Sequence, residues 1–214
     1  MHIPDGFLDA KTWGSLAAVS TAMVGLAVSG KTQRYTERDI PLMGVTAAFI
    51  FAAQMLNFPV AGGTSGHFMG AMLAAILLGP WAATLVMTTV LIVQAFVFQD
   101  GGLLALGVNI FNMGIVAVWS GWFIYQVMNR GSDRWVRLGV FSGAWVSIVL
   151  SAAAAALELG LSGTVSLALA LPAMVGVHAL IGIGEGLITV AVVQFISKVR
   201  PDLLATGKRE GQLS

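Results

Sequence analysis

The sequence contains no cysteine. This excludes disulfides, zinc–thiolate sites, iron–sulfur clusters and cysteine nucleophiles. Charged residues are also scarce, at 10% of the 214 residues, whereas about a quarter is usual in soluble domains. The sequence lacks a Walker-type phosphate-binding motif, so we do not expect the chain to hydrolyse ATP by that route.

Long apolar runs fill most of the chain instead. Hydrophobic residues make up 57% of it, and the mean hydropathy is +0.86. This composition predicts a polytopic helical membrane protein without a nucleic-acid partner. The runs predict helices near 12–29, 40–56, 66–79, 80–98, 103–128, 135–157 and 171–197. Gly79-Pro80 leaves open whether 66–98 is one helix or two, because proline breaks or kinks helices.

The distribution of Lys and Arg distinguishes a chain with six membrane spans from one with seven. Three clusters lie between or after the runs, and Lys11 stands alone near the start: Lys31, Arg34 and Arg38; Arg130, Arg134 and Arg137; Lys198, Arg200, Lys208 and Arg209. Seven spans place all three clusters on one side, whereas six spans move the middle cluster to the other. The positive-inside rule therefore predicts an all-α bundle of about seven transmembrane helices, with the N-terminus outside and the C-terminus cytoplasmic.

Three segments follow from this topology. Residues 1–11 are expected to fold back into the bundle, 12–198 to form it, and 199–214 to be a cytoplasmic tail. The stretch before Lys11 lacks the cationic region of a signal peptide, so we expect a mature terminus. The bulky histidine at position 2 should also discourage removal of the initiator methionine, so we expect Met1 to keep its amine. The Pro4-Asp5-Gly6 sequence is typical of a tight turn.

A histidine at position 2 points to metal binding. The α-amine of Met1, the amide nitrogen of His2 and the Nδ1 atom of His2 can chelate one ion in fused planar rings. A fourth nitrogen would complete a square, and square-planar nitrogen ligation favours nickel(II) or copper(II) over zinc. Since imidazole has an ordinary pKa of about 6.5, we expect affinity to fall as the pH drops through that value.

The fourth nitrogen is expected from His67, which the topology places on the same outer face. Gly63 and its neighbouring glycines allow close backbone approach. The hydroxyls of Thr64 and Ser65 are candidates for hydrogen bonds that orient a ligand.

Further polar residues lie inside the apolar runs. His178 and Glu185 are seven residues apart and share one face of the last helix, where ionisable groups are costly and usually paired or functional. We expect a structural hydrogen bond there, with Asn109 or Asn112 as candidate partner, slightly ahead of a role in transport. Asp100 and Glu158 are expected to be solvated loop charges.

Two other functions fit parts of the pattern. Gly63-Thr64-Ser65-Gly66 has the form G-x-S-G, and Ser65 with His178 would make the dyad of an intramembrane serine protease. This alternative leaves the Met1-His2 terminus without a role. A channel or secondary transporter acting alone is less favoured, because Glu185 is essentially the one carboxylate predicted within the spans.

Five stretches resemble one family over nearly the whole chain. They are MHIPDGFL at 1–8, GGTSGH at 62–67, ILLGPWAA at 76–83, NIFNMG at 109–114 and HALIGIGEG at 178–186. They are similar to the CbiM/NikM family, the substrate-binding S components of energy-coupling-factor transporters for nickel and cobalt. The resemblance implies metal ligation by the Met1 amine, by the amide and imidazole nitrogens of His2, and by His67.

The resemblance also implies partners. These are a transmembrane coupling subunit, two cytoplasmic ATPases and a small accessory membrane subunit. Relatives tied to cobalamin synthesis often carry a Ser-Cys-Ser-His-Pro-like stretch around the loop histidine, which this chain replaces with Gly-Gly-Thr-Ser-Gly-His. The sequence therefore leans towards nickel(II) as the transported substrate, with cobalt(II) for cobalamin synthesis as the alternative.

Overall fold

The fold is described from a computed structural model that covers residues 1–30, 35–37, 39–60, 64–129 and 132–205. Within these ranges the chain forms seven helices of eight or more residues, one short hairpin and a single 3₁₀ turn at Pro201–Leu203. The helices are α1 (Ala10–Val28), α2 (Asp39–Gln54), α3 (Ala71–Leu78), α4 (Pro80–Phe98), α5 (Leu106–Met128), α6 (Asp133–Leu161) and α7 (Leu167–Val199). The chain is thus mostly helical, as predicted.

Four of the helices, α4 to α7, are long and apolar enough to cross a membrane, and α2 is a shorter apolar helix. Large apolar side chains on their surfaces are exposed, among them Phe96, Phe123, Leu180 and Phe195. Exposed apolar surface of this extent is rare on soluble proteins. It fits a bundle that faces lipid.

The third helix is shorter than predicted and begins later. Residues 58–60 and 64–66 pair as antiparallel strands β1 (Phe58–Val60) and β2 (Thr64–Gly66), so the predicted helix start at residue 66 was wrong. Gly70 has a φ of +74°, in the left-handed region, and α3 starts only after it. All eight residues of α3 are buried, which places this helix in the core.

The predicted break at Gly79-Pro80 is present. Gly79 has a φ of +83° and separates α3 from α4, whose first residue is Pro80. Proline is well placed there because the first turn of a helix needs no backbone donor.

Both α4 and α5 contain a π-helical segment, Gln94–Phe98 and Ile110–Val116 respectively. Such segments often occur at functional sites because they redirect side chains. Gln94 begins the first segment and Asn109 immediately precedes the second. Both side chains contact the N-terminal residues of the chain.

Candidate functional site

The first three residues lie inside the bundle. Met1 and Ile3 are fully buried, and His2 is 5% exposed. Chain termini usually fray unless other parts of the protein hold them. Contacts from the surrounding helices and loops hold the first three residues here.

The loop and helix around α5 hold the segment by its backbone. Asn109 accepts a hydrogen bond from the Ile3 amide at 2.9 Å and donates one to the Ile3 carbonyl at 3.1 Å. That carbonyl also accepts from the Gly102 amide at 2.9 Å. Ile3 is therefore fixed on both its backbone groups.

The Asp5 side chain fixes the next turn. Its carboxylate accepts from the amides of Leu103, Leu104 and Ala105 at 2.8–3.1 Å, just ahead of α5. These amides would otherwise be unpaired donors at a helix start, where negative charge is also favoured. The predicted Pro4-Asp5-Gly6 turn is present, with Gly6 at a φ of +84°.

Asp9 completes the hold on the segment. It caps α1 by accepting from the amides of Lys11 and Thr12, and its pKa falls to about 2, chiefly because of the Thr12 side-chain hydrogen bond. Ser162, beyond α6, donates to the same carboxylate at 3.0 Å. Both ends of residues 1–9 are thus tied to the bundle.

The Met1 amine points at the hairpin. It donates to the backbone carbonyl of Ser65 and, at 3.1 Å, to the Ser65 hydroxyl. Burial lowers the pKa of this amine to about 4, although Asp100 acts in the opposite direction. The amine is therefore neutral at neutral pH and has a lone pair to offer.

The His2 ring is held by Gln94. Its Nε2 atom lies 3.0 Å from Gln94 Oε1, and its buried Nδ1 atom has no hydrogen-bond partner. Asp100 Oδ1 is 3.3 Å from Nδ1. Burial lowers the pKa of His2 to about 4, and the N-terminal amine adds to this, while Asp100 opposes it. Since burial dominates, His2 is neutral and its contact with Asp100 is not an ion pair at neutral pH.

His67 lies directly against His2. The two rings stack with centroids 4.7 Å apart and an interplanar angle of 25°. His67 is fully buried, and its Nδ1 atom is 2.7 Å from the Phe68 carbonyl, which leaves Nε2 without a partner. Burial also lowers the pKa of this ring well below its ordinary value.

The structure thus brings together the amine, His2 and His67. Buried polar atoms normally have partners, yet one nitrogen of each ring has none among the residues that the structure describes. Among the residues that the structure describes, no cluster of three or more His, Asp or Glu side chains could hold a metal. A metal site here would therefore need the terminal amine and a backbone nitrogen as well as the imidazoles.

The remaining predicted residues have varied positions. Gly63 lies outside the described residues, and Thr64 is in β2. Ser65 contacts the amine, whereas Asn109 holds the backbone of Ile3. Asn112 does not reach the site, because it donates to Glu158 Oε2 at 2.6 Å.

The expected partners of His178 and Glu185 were wrong. The Nδ1 atom of His178 lies 2.7 Å from the Met174 carbonyl, one helical turn earlier. Glu185 accepts from the amides of Met69 and Gly70 at 2.6 and 2.8 Å, just before α3. These amides precede a helix and need acceptors, and a carboxylate on α7 supplies them.

The proposed catalytic dyad is not formed. Within the described residues, no hydrogen bond joins Ser65 to His178, and the Ser65 hydroxyl instead accepts from the Met1 amine.

Asp100 and Glu158 are not the solvated loop charges that we expected. Asp100 lies beside the His2 ring, and Glu158 is a buried residue of α6 that pairs with Asn112. α6 extends to Leu161, one turn beyond its predicted end, and this draws Glu158 into the bundle.

Two site residues were missed by sequence reasoning. Gln94 contacts His2, and Gln54 contacts Gln94 at 2.9 Å. Both side chains are fully buried. The available signal was a polar side chain inside an apolar helix, which rarely lacks a partner.

Known proteins are similar to this chain in both fold and sequence. A family model described as the cobalt uptake substrate-specific transmembrane region, CbiM, matches residues 2–203. The crystal structure of a truncated transition metal transporter has a TM-score of 0.86 and 36% identity, covering 92% of this chain and 99% of that one.

Individual relatives are similar over the whole length. A putative fused nickel transport protein NikMN from Archaeoglobus fulgidus is 43% identical, across 100% of this chain and 71% of that protein. A putative metal transport protein from Haloquadratum walsbyi is 42% identical, across 100% and 98%. The cobalt transport protein CbiM of Sorangium cellulosum is 34% identical, across 95% and 94%.

Proposed function

The chain belongs to the CbiM/NikM family of nickel and cobalt transport proteins of the membrane, and from this starting point we propose that it captures the ion for an importer. It would be the S component of an energy-coupling-factor transporter in the cytoplasmic membrane of a prokaryote. The carrying observation is the buried group of three neutral nitrogen donors: the Met1 amine, His2 and His67.

In this proposal four nitrogens bind the ion in a square plane. Met1 supplies its amine, His2 supplies its amide nitrogen and Nδ1, and His67 supplies Nε2. Both imidazole atoms are buried without hydrogen-bond partners, as ligands in an apo site must be if they are to be free for an ion. The ion is the substrate, to be released later, and it is not a resident cofactor.

Nickel(II) is the proposed substrate, because four nitrogens in a plane suit its preferred geometry. Cobalt(II), taken up for cobalamin synthesis, is the alternative, and several relatives are named cobalt transport proteins. Competition between the two ions at the purified protein, followed by metal analysis, decides between them. A clear preference for cobalt would overturn the proposed substrate but leave the chelate intact.

We further propose seven membrane spans, with the N-terminus outside and the tail of 199–214 in the cytoplasm. The absence of cysteine makes this simple to test, since single cysteines have no background. Lys11→Cys should react with a membrane-impermeant maleimide on intact cells, and Lys198→Cys only after lysis. The opposite pattern would reverse the orientation.

Transport would require partner subunits, because the chain lacks an ATP-binding motif. We propose a transmembrane coupling subunit, two cytoplasmic ATPases and a small accessory membrane subunit. Accumulation of radioactive nickel in cells should require both this chain and the ATPases. Uptake that persists without the ATPases would indicate a transporter acting alone.

Calorimetric titration of the purified protein with nickel(II) tests the metal site. His2→Ala and His67→Ala should each weaken binding more than about 100-fold, beyond the usual effect of losing an outer hydrogen-bond partner. Asn112→Ala is the matched control, since it removes an equally buried polar side chain that pairs with Glu158 and with none of the proposed ligands. Equal losses in all three variants would contradict the proposed site.

A further inference from the structure

Two buried glutamines connect His2 to the segment that carries His67. His2 Nε2 lies 3.0 Å from Gln94 Oε1, Gln94 Nε2 donates to Gln54 Oε1 at 2.9 Å, and Gln54 Nε2 donates to the Met69 carbonyl at 2.9 Å. We call this chain of three hydrogen bonds, from His2 through Gln94 and Gln54 to Met69, the glutamine relay.

The direction of the relay follows from its last member. A backbone carbonyl can only accept, so the side chain facing Met69 must present its NH₂ group. The carbonyl oxygen of Gln54 then faces Gln94, which must donate to it. The oxygen of Gln94 is left facing His2, so the proton of the imidazole must sit on Nε2.

In the described part of the chain, these groups have no other hydrogen-bond partner. Gln54 and Gln94 have no exposed surface, and His2 is 5% exposed. Reversing either amide would set two oxygens or two NH₂ groups against each other without water to compensate, which costs free energy. The Met69 carbonyl therefore fixes the orientation of both amides.

A competing acceptor sits on the other side of the ring. Asp100 Oδ1 lies 3.3 Å from His2 Nδ1, and a carboxylate attracts an N–H proton more strongly than an amide oxygen does. If Gln94 were absent, the proton would move to Nδ1, the atom that the proposed chelate needs free. The relay and Asp100 thus favour opposite tautomers.

We propose that the glutamine relay positions the proton of His2 on Nε2 and so keeps Nδ1 open for the metal ion. Gln94 and Gln54 are positioning residues, since neither would touch the ion. The inference rests on the proposed function, because it assigns a purpose to a free Nδ1.

The relay also depends on the fold around His67. Met69 follows His67 by two residues, and its amide is held by Glu185 of α7 at 2.6 Å. The carbonyl that orients the relay is therefore in place only when the segment before α3 is docked on α7. This couples the tautomer of one ligand to the placement of the other.

The first measurement reports the tautomer without metal. Nitrogen-15 NMR of the histidine-labelled apo protein distinguishes a ring protonated on Nε2 from one protonated on Nδ1, and His67→Ala and His178→Ala assign the three rings. We expect His2 to carry its proton on Nε2 in the wild type. In Gln94→Leu the proton should move to Nδ1.

The second measurement is nickel(II) affinity of the same proteins. Gln94→Leu should weaken binding about 10–100-fold, the usual effect of losing an outer-shell partner. Gln54→Leu should act in the same direction but less strongly, since it frees Gln94 to reverse. The double variant Gln94→Leu/Asp100→Ala should recover part of the loss, because it removes the competing acceptor.

A matched control separates these effects from damage to the helix. Thr88→Val removes one buried side-chain hydrogen bond from the same helix as Gln94, to the carbonyl of Thr84. It should leave the His2 tautomer unchanged and alter the nickel(II) affinity by no more than about threefold.

The outcomes distinguish the relay from the proposed function. A wild-type His2 protonated on Nδ1, or an unchanged tautomer in Gln94→Leu, would overturn the relay. If the tautomers behave as expected but wild-type protein does not bind nickel(II), the proposed function fails and the relay remains a structural feature.

Discussion

The side chain of Asn109 forms two hydrogen bonds with the backbone of Ile3: it accepts from the amide at 2.9 Å and donates to the carbonyl at 3.1 Å. A side-chain amide can pair with both backbone groups of one residue, because its carbonyl accepts from the N–H and its NH₂ group donates to the C=O. The pair fixes the residue that immediately follows the proposed chelate. The position of the terminus is therefore set by α5 as well as by its own turn.

Replacing Asn109 should loosen the terminus without removing a ligand. Asn109→Leu loses two hydrogen bonds of about 1 kcal/mol each, so we expect nickel(II) affinity to fall about tenfold or more. Asn112→Leu is the control, since Asn112 is three residues further along the helix and equally buried but pairs with Glu158. Calorimetry on both variants should show the loss only for Asn109→Leu; matching losses would argue that general destabilisation is responsible.

Extending the chain at its start tests the role of the amine. Met-Gly-Ser placed before Met1 should reduce nickel(II) affinity more than about 100-fold, because Met1 is fully buried and its amine would become a peptide nitrogen. A single added residue is unsuitable, since a histidine at position 3 forms a four-nitrogen chelate by itself. The same tripeptide added after Ser214 is the control. Tight binding by the N-terminally extended protein would refute the chelate.

The sequence predicted much of the helical arrangement, because apolar runs and proline breaks are local signals. The helices lie within a few residues of their predicted positions except at α3. The start of α3 depends on a contact with a distant helix, because Glu185 of α7 accepts hydrogen bonds from the amides of Met69 and Gly70. A single sequence does not reveal which carboxylate will reach which amide.

The sequence pointed to only some of the residues that the structure brings together at the candidate site, again because long-range contacts are not visible in it. Met1, His2 and His67 were recognisable from residue type and from the side of the membrane assigned to them. Gln54 and Gln94 were not, because their importance lies in a hydrogen-bonded chain between two helices. Asp100 was misjudged since its proximity to His2 depends on how residues 99–102 turn back onto the terminus.

A glycine beside the turn offers a test of close packing. A Cβ atom added at Gly102 would lie 2.1 Å from Asp5 Oδ1 and 2.4 Å from the Asp5 amide nitrogen. Gly102→Ala should therefore displace the N-terminal segment and weaken nickel(II) binding more than about tenfold. Gly14→Ala, on α1, is the control because a Cβ there meets nothing within 4 Å. Unaltered affinity in Gly102→Ala would show that the segment adapts freely.

The pH dependence of binding follows from the lowered pKa values. Both the Met1 amine and His2 have pKa values near 4, so neither holds a proton at neutral pH. Binding then releases about one proton, from the His2 amide, because ligands must be deprotonated. The logarithm of the affinity should rise by about one per pH unit between pH 5 and 8. It should fall more steeply below about 4, rather than through the ordinary imidazole value of about 6.5.

The number of protons released on nickel(II) binding at pH 7 tests directly whether these pKa values are lowered. Calorimetric titration with nickel(II) in buffers of different ionisation enthalpy measures the number released. Ordinary pKa values of about 7.8 and 6.5 would leave the amine mostly protonated and the imidazole partly so, and about two protons would be released. We expect about one, because burial has already removed the others. A count near two would mean that water reaches the terminus in the apo protein and that its pKa values are not lowered.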